Sequence, residues 1–324
     1  MKRQIMTLLA GLLAASFSLV VHAAWPERTI NFVVPYAAGG LSDNEARITA
    51  KWLTKSLKEG VIVENRTGAS GAIAADYVAR ARPDGYTLFF TALPTLVMVP
   101  HTQKVNYDPF KSFVPIATLD ASYIAFAVNP EMLPTIKTFS DLAAYAKAKP
   151  NQLSFATGGV GVTGHLSMEL LLKEAGLKMT HVPYRGSNPA VLAVLGGQVP
   201  IYVGTLSDVL QYYKKGQLRI IGVSSAKRLS AVPEVPTIAE QGYPTYKIST
   251  WNGLLAPAGT PKQVISKISA ALETACRNPE FKASFQALGV DSECTTPAQF
   301  SRALKSDYKM WGEAVVAAGV KQQQ

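Results

Sequence analysis

Phe32-Val33-Val34-Pro35-Tyr36-Ala37-Ala38-Gly39-Gly40-Leu41-Ser42-Asp43 is the stretch from which the fold can be read. The apolar run Ile30 to Val34 predicts a buried strand, and Pro35 ends it. A turn of small residues follows, and Ser42 or Asp43 is placed to cap a helix over residues 44–58. Strand, glycine turn and helix in that order leave the first helical N–H groups unbonded at the end of a sheet. Their partial positive charge suits an anion without any basic side chain. Alone, the stretch reads more readily as an ordinary strand–helix turn that binds nothing. The rest of the chain changes that balance.

Residues 1–23 have the layout of an export signal. Lys2 and Arg3 precede an apolar run, Ile5 to Val21, and Val21-His22-Ala23 fits the small-residue cleavage rule. A retained membrane anchor is the alternative, but the run is short for a span. The mature protein is therefore expected to be soluble and exported. What remains is long enough for two domains. The net charge of +10 is spread along the chain, its longest cluster being Lys214-Lys215, which describes a solvated surface and not a nucleic-acid footprint. The chain has two cysteines, Cys276 and Cys294. They either pair, closing a loop of about 18 residues worth about 3 kcal/mol, or stay free.

The opening pattern repeats. Strands are expected at 61–66 and 86–91, the second after the turn Arg82-Pro83-Asp84-Gly85, with an Ala-rich helix over 73–80 between them. Further strands are expected at 114–119, 123–128, 153–157, 179–184, 198–203 and 218–224, and helices at 139–147, 165–175 and 189–195. After an extended crossing at 246–255 the chain reads as helical over 261–276, 279–288 and 297–317. Alternating strands and helices predict an α/β fold of parallel, doubly wound sheets with ligands beyond the strand ends. One domain interrupted by another makes a two-lobed clamshell, with two sheets joined by two crossover strands. Lobe 1 is assigned to residues 24–124 plus 249–324 and lobe 2 to 125–248. Two facing sets of loops would then enclose a ligand.

The chemistry-bearing motifs are few. Gly159-Val160-Gly161-Val162-Thr163-Gly164 satisfies the dinucleotide pattern, but no acidic residue for a ribose ends the next strand at Pro183-Tyr184-Arg185. An exported protein has no nicotinamide pool either. The loop reads better as a small-anion cradle with Thr163 as hydroxyl donor. His165 and Glu169 share a helix face without a third ligand, so no metal is expected, and a packed or hydrogen-bonded histidine is favoured. No nucleophile elbow or carboxylate pair nominates catalysis. Tyr36, Tyr184 and Trp251 fall where a cleft would be.

The ordered set of motifs resembles a known family. Val34-Pro35-Tyr36-Ala37-Ala38-Gly39-Gly40-Leu41-Ser42-Asp43, Asn65-Arg66-Thr67-Gly68-Ala69-Ser70-Gly71 and Arg82-Pro83-Asp84-Gly85-Tyr86-Thr87-Leu88 carry the first half. Val182-Pro183-Tyr184-Arg185-Gly186-Ser187, Leu195-Gly196-Gly197-Gln198-Val199 and Ala256-Pro257-Ala258-Gly259-Thr260-Pro261 carry the second. Together they are similar to the tripartite tricarboxylate transporter substrate-binding receptors, the Bug (TctC-like) proteins. The resemblance implies a type II periplasmic-binding-protein fold, no cofactor, no catalysis, a monomer, and membrane transporter subunits as partners. It implies a small carboxylate held by loop N–H groups, hydroxyls and waters. The residues it points to are Tyr36, Gly39, Gly40, Leu41, Ser42 and Asp43, with Thr91 and Ala92, from lobe 1. From lobe 2 they are Thr157, Gly158, Thr163, Gly164, Tyr184, Asn188 and Thr205. Asp43 is expected to brace its own loop more than to meet an anion.

Thr67 departs from the family's usual proline, as do Ala37 and Ala38. Val203-Gly204-Thr205 stands where an acid is common, which removes the partner of an amine. Leu41, Val160 and Val162 add apolar lining. These departures point to a dicarboxylate with an apolar body, aromatic such as terephthalate or a longer aliphatic, with citrate-like acids second. An exported hydrolase of small esters and a ligand sensor docking on a signalling partner are the competing classes.

Overall fold

The computed structural model describes residues 25–319; the export signal read at 1–23 lies outside them. Ile30–Val34 forms β1, nearly all of it buried, as an apolar run between two layers must be. Leu41–Leu57 forms α1, followed by Val61–Asn65 (β2), Ala72–Ala79 (α2) and Thr87–Ala92 (β3). Two short helices then appear that the sequence reading left out, Leu93–Val97 (α3) and Val99–Thr102 (α4). Each has proline in its first turn, where the missing N–H costs nothing.

Phe113–Thr118 (β4) leads into the long strand Asp120–Val128 (β5). The second half begins with Phe139–Ala148 (α5), capped by Thr138 and not by Ser140 or Asp141. It continues through Ser154–Thr157 (β6), Thr163–Ala175 (α6), Thr180–Pro183 (β7), Ser187–Leu195 (α7), Ile201–Thr205 (β8), Leu206–Lys214 (α8) and Arg219–Val223 (β9). The chain returns through Ser249–Thr250 (β10) and Asn252–Pro257 (β11). Lys262–Arg277 (α9), Pro279–Gln286 (α10), Asp291–Ser292 (β12) and Pro297–Ala317 (α11) complete it.

Two sheets result, one per lobe of a clamshell. The first runs β2-β1-β3-β11-β4; the second runs β7-β6-β8-β5, with β9 on the far side of β5. In each, the three strands of the local βαβ units are parallel, as alternation of strands and helices requires. The antiparallel member in each is the strand arriving from the other lobe: β11 beside β3 and β4, β5 beside β8 and β9. The sheets are thus mixed, and the same strand order occurs twice.

β5 is the joint. Its residues Asp120 to Tyr123 pair with β12 and β10, and from Ile124 onward it pairs with β8 and β9. Apolar packing also crosses the joint. Trp251 lies edge-on to Phe300 of α11 at 4.8 Å and donates its indole N–H to Asp307 at 2.8 Å. The buried cluster containing both, with Trp311, reaches Phe126 and Phe155 of the second sheet. Cys276 and Cys294 are paired, Cα–Cα 6.0 Å, tying the end of α9 to the segment after β12. Among the described residues no helix is long and apolar enough to cross a membrane, and no cluster of three metal-ligating side chains occurs.

Candidate functional site

The turn after β1 folds as a braced loop, with one revision. The N-cap of α1 is Gly40, without a side-chain bond, and Leu41, Ser42 and Asp43 lie inside the first turn. Neither Ser42 nor Asp43 caps the helix. The Asp43 carboxylate turns back to accept the Gly39 N–H at 2.8 Å, the Arg47 Nε–H at 2.9 Å and the Asn65 amide at 2.9 Å. Asn65 also donates to the Tyr36 carbonyl at 3.0 Å. Burial by itself would raise the Asp43 carboxyl; Arg47, the Gly39 N–H and Asn65 outweigh it and hold it below the ordinary carboxylate range. Asp43 is therefore a brace, as its place suggested. The first intrahelical bond runs from Asn44 N–H to Gly40 carbonyl at 3.0 Å. The N–H groups of Leu41, Ser42 and Asp43 precede it and are left without helical partners.

The second lobe answers in kind. α6 starts from Val162, also without a side-chain cap, and its first bond is Leu166 N–H to Val162 carbonyl at 3.1 Å. α7 starts from Gly186 uncapped as well. The helices starting at Thr138, Asn278 and Thr296 have side-chain caps, while α2 at Gly71 and α9 at Pro261 also start without one. Uncapped ends cost stability, of order 1 kcal/mol each, unless something else meets the N–H groups.

Between the lobes lies a cleft of about 720 Å³. Five of the expected residues line it: Tyr36, Ser42, Ala92, Thr163 and Thr205. Val160 and Val162, named as apolar lining, are there too, with Gly161 between them. No lysine, arginine, histidine, aspartate or glutamate lines it. An anion there would meet N–H groups, hydroxyls and the Tyr36 phenol, which shares a 2.8 Å bond with Thr95.

The other expected residues stand behind or beside the wall. Gly39 and Gly40 are exposed in the turn, while Leu41 packs half-buried on the lobe 1 core. Thr91 is buried with its hydroxyl on the Ala92 carbonyl. The Thr157 hydroxyl bonds the loop at Gly159 and meets His181 Nε2 at 2.7 Å, so it shapes the glycine loop from beneath. Gly158 and Gly164 are close-packing points: a Cβ on Gly158 would meet Ser187 N at 3.1 Å, and one on Gly164 the Val203 carbonyl carbon at 2.9 Å. Tyr184 packs on the core beside β8, and Asn188 is exposed.

The sequence reading missed one wall. Ser70, Pro94, Met98, Val99, Thr102 and Gln103 line the cleft, most of them from α3 and α4 and the residue after. Ser187 was passed over in favour of its neighbour Asn188. The small residue ending β3 and the proline after it, Ala92 and Pro94, were a usable signal for that loop end, but nothing local marks Met98 or Val99 as lining.

His165 is hydrogen-bonded and packed. Its Nδ1 accepts the Gly161 N–H at 3.0 Å, and its ring stacks on His181 at 3.8 Å. Glu169 lies 3.7 Å from its Nε2, and burial pushes the histidine down and the glutamate up, against ionisation of either. The turn after β1 is also wired to the joint. Ser42 donates to Asn252 Oδ1 at 2.6 Å, the Asn252 N–H donates to Asp120, and Ser122 donates to Asp120 at 2.7 Å. Burial pushes Asp120 up to about 6 against these donors.

Residues 45–320 match the family model described as tripartite tricarboxylate transporter family receptor. Protein BugT of Bordetella pertussis is 31% identical over 299 residues, covering 92% of this chain and 91% of BugT. Among solved structures, Rpa4515 of R. palustris, with adipate, matches with TM-score 0.76 at 28% identity, covering 92% of this chain and 100% of that one. MatC from Rhodopseudomonas palustris, with bound malate, matches with TM-score 0.73 at 29% identity, covering 90% and 100%.

Proposed function

The chain belongs to the tripartite tricarboxylate transporter receptor family, and from that premise we propose that it captures a dicarboxylate with an apolar body and passes it to the membrane subunits of a tripartite transporter. It is a solute-binding receptor and not an enzyme, like the family and its solved relatives. The observation that supports the ligand class is the pair of uncapped helix starts, Gly40 and Val162, one from each lobe, at a cleft free of basic side chains. A carboxylate would complete both sets of N–H groups, and the Thr163 hydroxyl would add a donor, whereas Ser42 and Thr205 already donate to Asn252 and Asp208. The apolar body would lie on Met98, Val99, Val160 and Val162. A diacid touching both lobes favours the closed arrangement by its differential affinity.

Terephthalate or an aliphatic diacid such as adipate suits this lining. Citrate-like acids are the second reading, favoured by the hydroxyls and amide of Ser70, Thr102 and Gln103 on the same wall. The lobes are taken as 24–124 with 249–324 and 125–248, the division falling in β5 where its partners change. Export by residues 1–23, a periplasmic site of action and a monomeric receptor complete the proposal. A thermal-shift screen of mono- and dicarboxylates tests it. A ligand at about a hundred times its Kd adds about 2.7 kcal/mol of stability. A rise with a diacid and none with its monoacid is expected. No response to any carboxylate would overturn the reading.

A further inference from the structure

A second cavity, of about 240 Å³, lies beside the cleft at the joint. Its walls come from both halves of the chain: Ser122 and Tyr123 of β5, Leu206 and Leu210 of α8, and Val290 and Asp291 at the α10–β12 turn. Thr205 belongs to both spaces, and its hydroxyl lies 3.2 Å from that of Ser207, which faces the second cavity; these two residues form the partition. Across it the halves come close: a Cβ on Gly289 would lie 3.5 Å from Ser207 Cβ.

The lining differs in kind from that of the cleft. Leu206, Leu210, Leu229 and Val290 make an apolar wall, and the lining includes one cation, Lys214, and one anion, Asp291. Neither forms an ion pair among the described residues. The Tyr123 phenol, raised by burial and then by Glu293, Asp291 and Asp120, keeps its proton and is a donor. Both side chains are exposed to solvent at the edge of the space, and opposite charges beside an apolar wall match a molecule carrying both complementary charges and a short hydrocarbon group. We propose that this cavity is a second ligand site, for a small amino acid with an apolar side chain. Its carboxylate meets Lys214, its ammonium meets Asp291, and its side chain fills the space between Leu206, Leu210, Leu229 and Val290. Because the walls come from both lobes, an occupant is linked reciprocally to whatever the cleft binds.

The test uses the full chain with leucine, 4-methylpentanoate, which lacks the ammonium, and 3-methylbutylamine, which lacks the carboxylate. Binding is followed by ligand-observed NMR and titration calorimetry. Leucine is expected to bind at least about tenfold more tightly than either analogue. That binding should survive Ser187→Trp, which obstructs the cleft, and vanish in Leu210→Trp, which fills the cavity. Lys214→Ala, a surface change that leaves folding intact, should weaken leucine by about tenfold and leave carboxylate binding in the cleft unchanged. No leucine binding would overturn the proposal. So would binding lost in Ser187→Trp but kept in Leu210→Trp and Lys214→Ala, or 4-methylpentanoate binding as well as leucine. None of these outcomes bears on the carboxylate reading of the cleft.

Discussion

Gly164→Ala tests whether the start of α6 is placed by close packing on β8. The added Cβ would lie 2.9 Å from the Val203 carbonyl carbon and 3.2 Å from Gly204 Cα, and nearer still to the Val203 oxygen. Carbon atoms rest at about 3.5–4.0 Å, so the helix start must retreat by up to about 1 Å. Both neighbours are backbone of a central strand and cannot rotate aside. Overpacking of this kind costs about 1–3 kcal/mol of stability. The same retreat withdraws the free N–H groups of Thr163, Gly164 and His165 from the cleft, and losing aligned bonds to a charged ligand at about 1.5–3 kcal/mol corresponds to ten- to a hundredfold in Kd. The control is Gly176→Ala at the other end of the same helix. There φ is 64° and no atom lies within 4 Å of the new Cβ, so the cost is left-handed strain of about 1–2 kcal/mol with no effect at the cleft. Urea unfolding and calorimetric titration with the carboxylate found by the thermal screen separate the two. Gly164→Ala binding as tightly as wild type, or Gly176→Ala losing as much affinity, would refute the argument.

Asp43→Asn should remove the charge that holds Arg47, Gly39 and Asn65 and lower stability at neutral pH by about 1–3 kcal/mol, discounted because Arg47 is half exposed. Since the folded Asp43 carboxyl lies below the ordinary carboxylate value of 3.8, its contribution is present above that pH and is lost as the pH falls through the folded value. Acid unfolding curves of wild type and Asp43→Asn should therefore converge in strong acid, and parallel curves would contradict the assignment. Burial and the neighbouring His165 push His181 down to about 4 from 6.5. The unfolded chain thus takes up the proton first, stability falls as the pH drops across that interval, and an NMR titration should find the His181 ring neutral until about pH 4; titration near 6.5 would show that the stack with His165 is open in solution. Replacing Cys276 and Cys294 by serine should lower stability by about 3 kcal/mol and leave ligand affinity unchanged, because the bridge ties α9 to the segment after β12, neither of which lines the cleft. A changed affinity would place the bridge in the closing motion.

By itself the sequence determined the order of elements, the strand–glycine turn–helix units and the family, because these rest on local patterns: apolar runs, turn residues and glycines. It also marked Tyr36, Ser42, Ala92, Thr163 and Thr205 of the cleft wall, with Val160 and Val162 of its glycine loop. It misplaced the start of α1, since Ser42 and Asp43 are good capping residues and only Arg47, Asn65 and Gly39, gathered around the carboxylate, show that Gly40 is the cap. The tertiary structure alone decided what depends on contacts distant in sequence. Met98 and Val99 line a cleft because α3 and α4 turn the chain across the mouth of β3. Thr91 stands behind the wall with its hydroxyl on the Ala92 carbonyl and β11 beside it, Thr157 because His181 lies against it, and Gly164 because β8 does. β5 and β11 run antiparallel to their neighbours because each enters its sheet from the opposite lobe, a direction that no local propensity encodes.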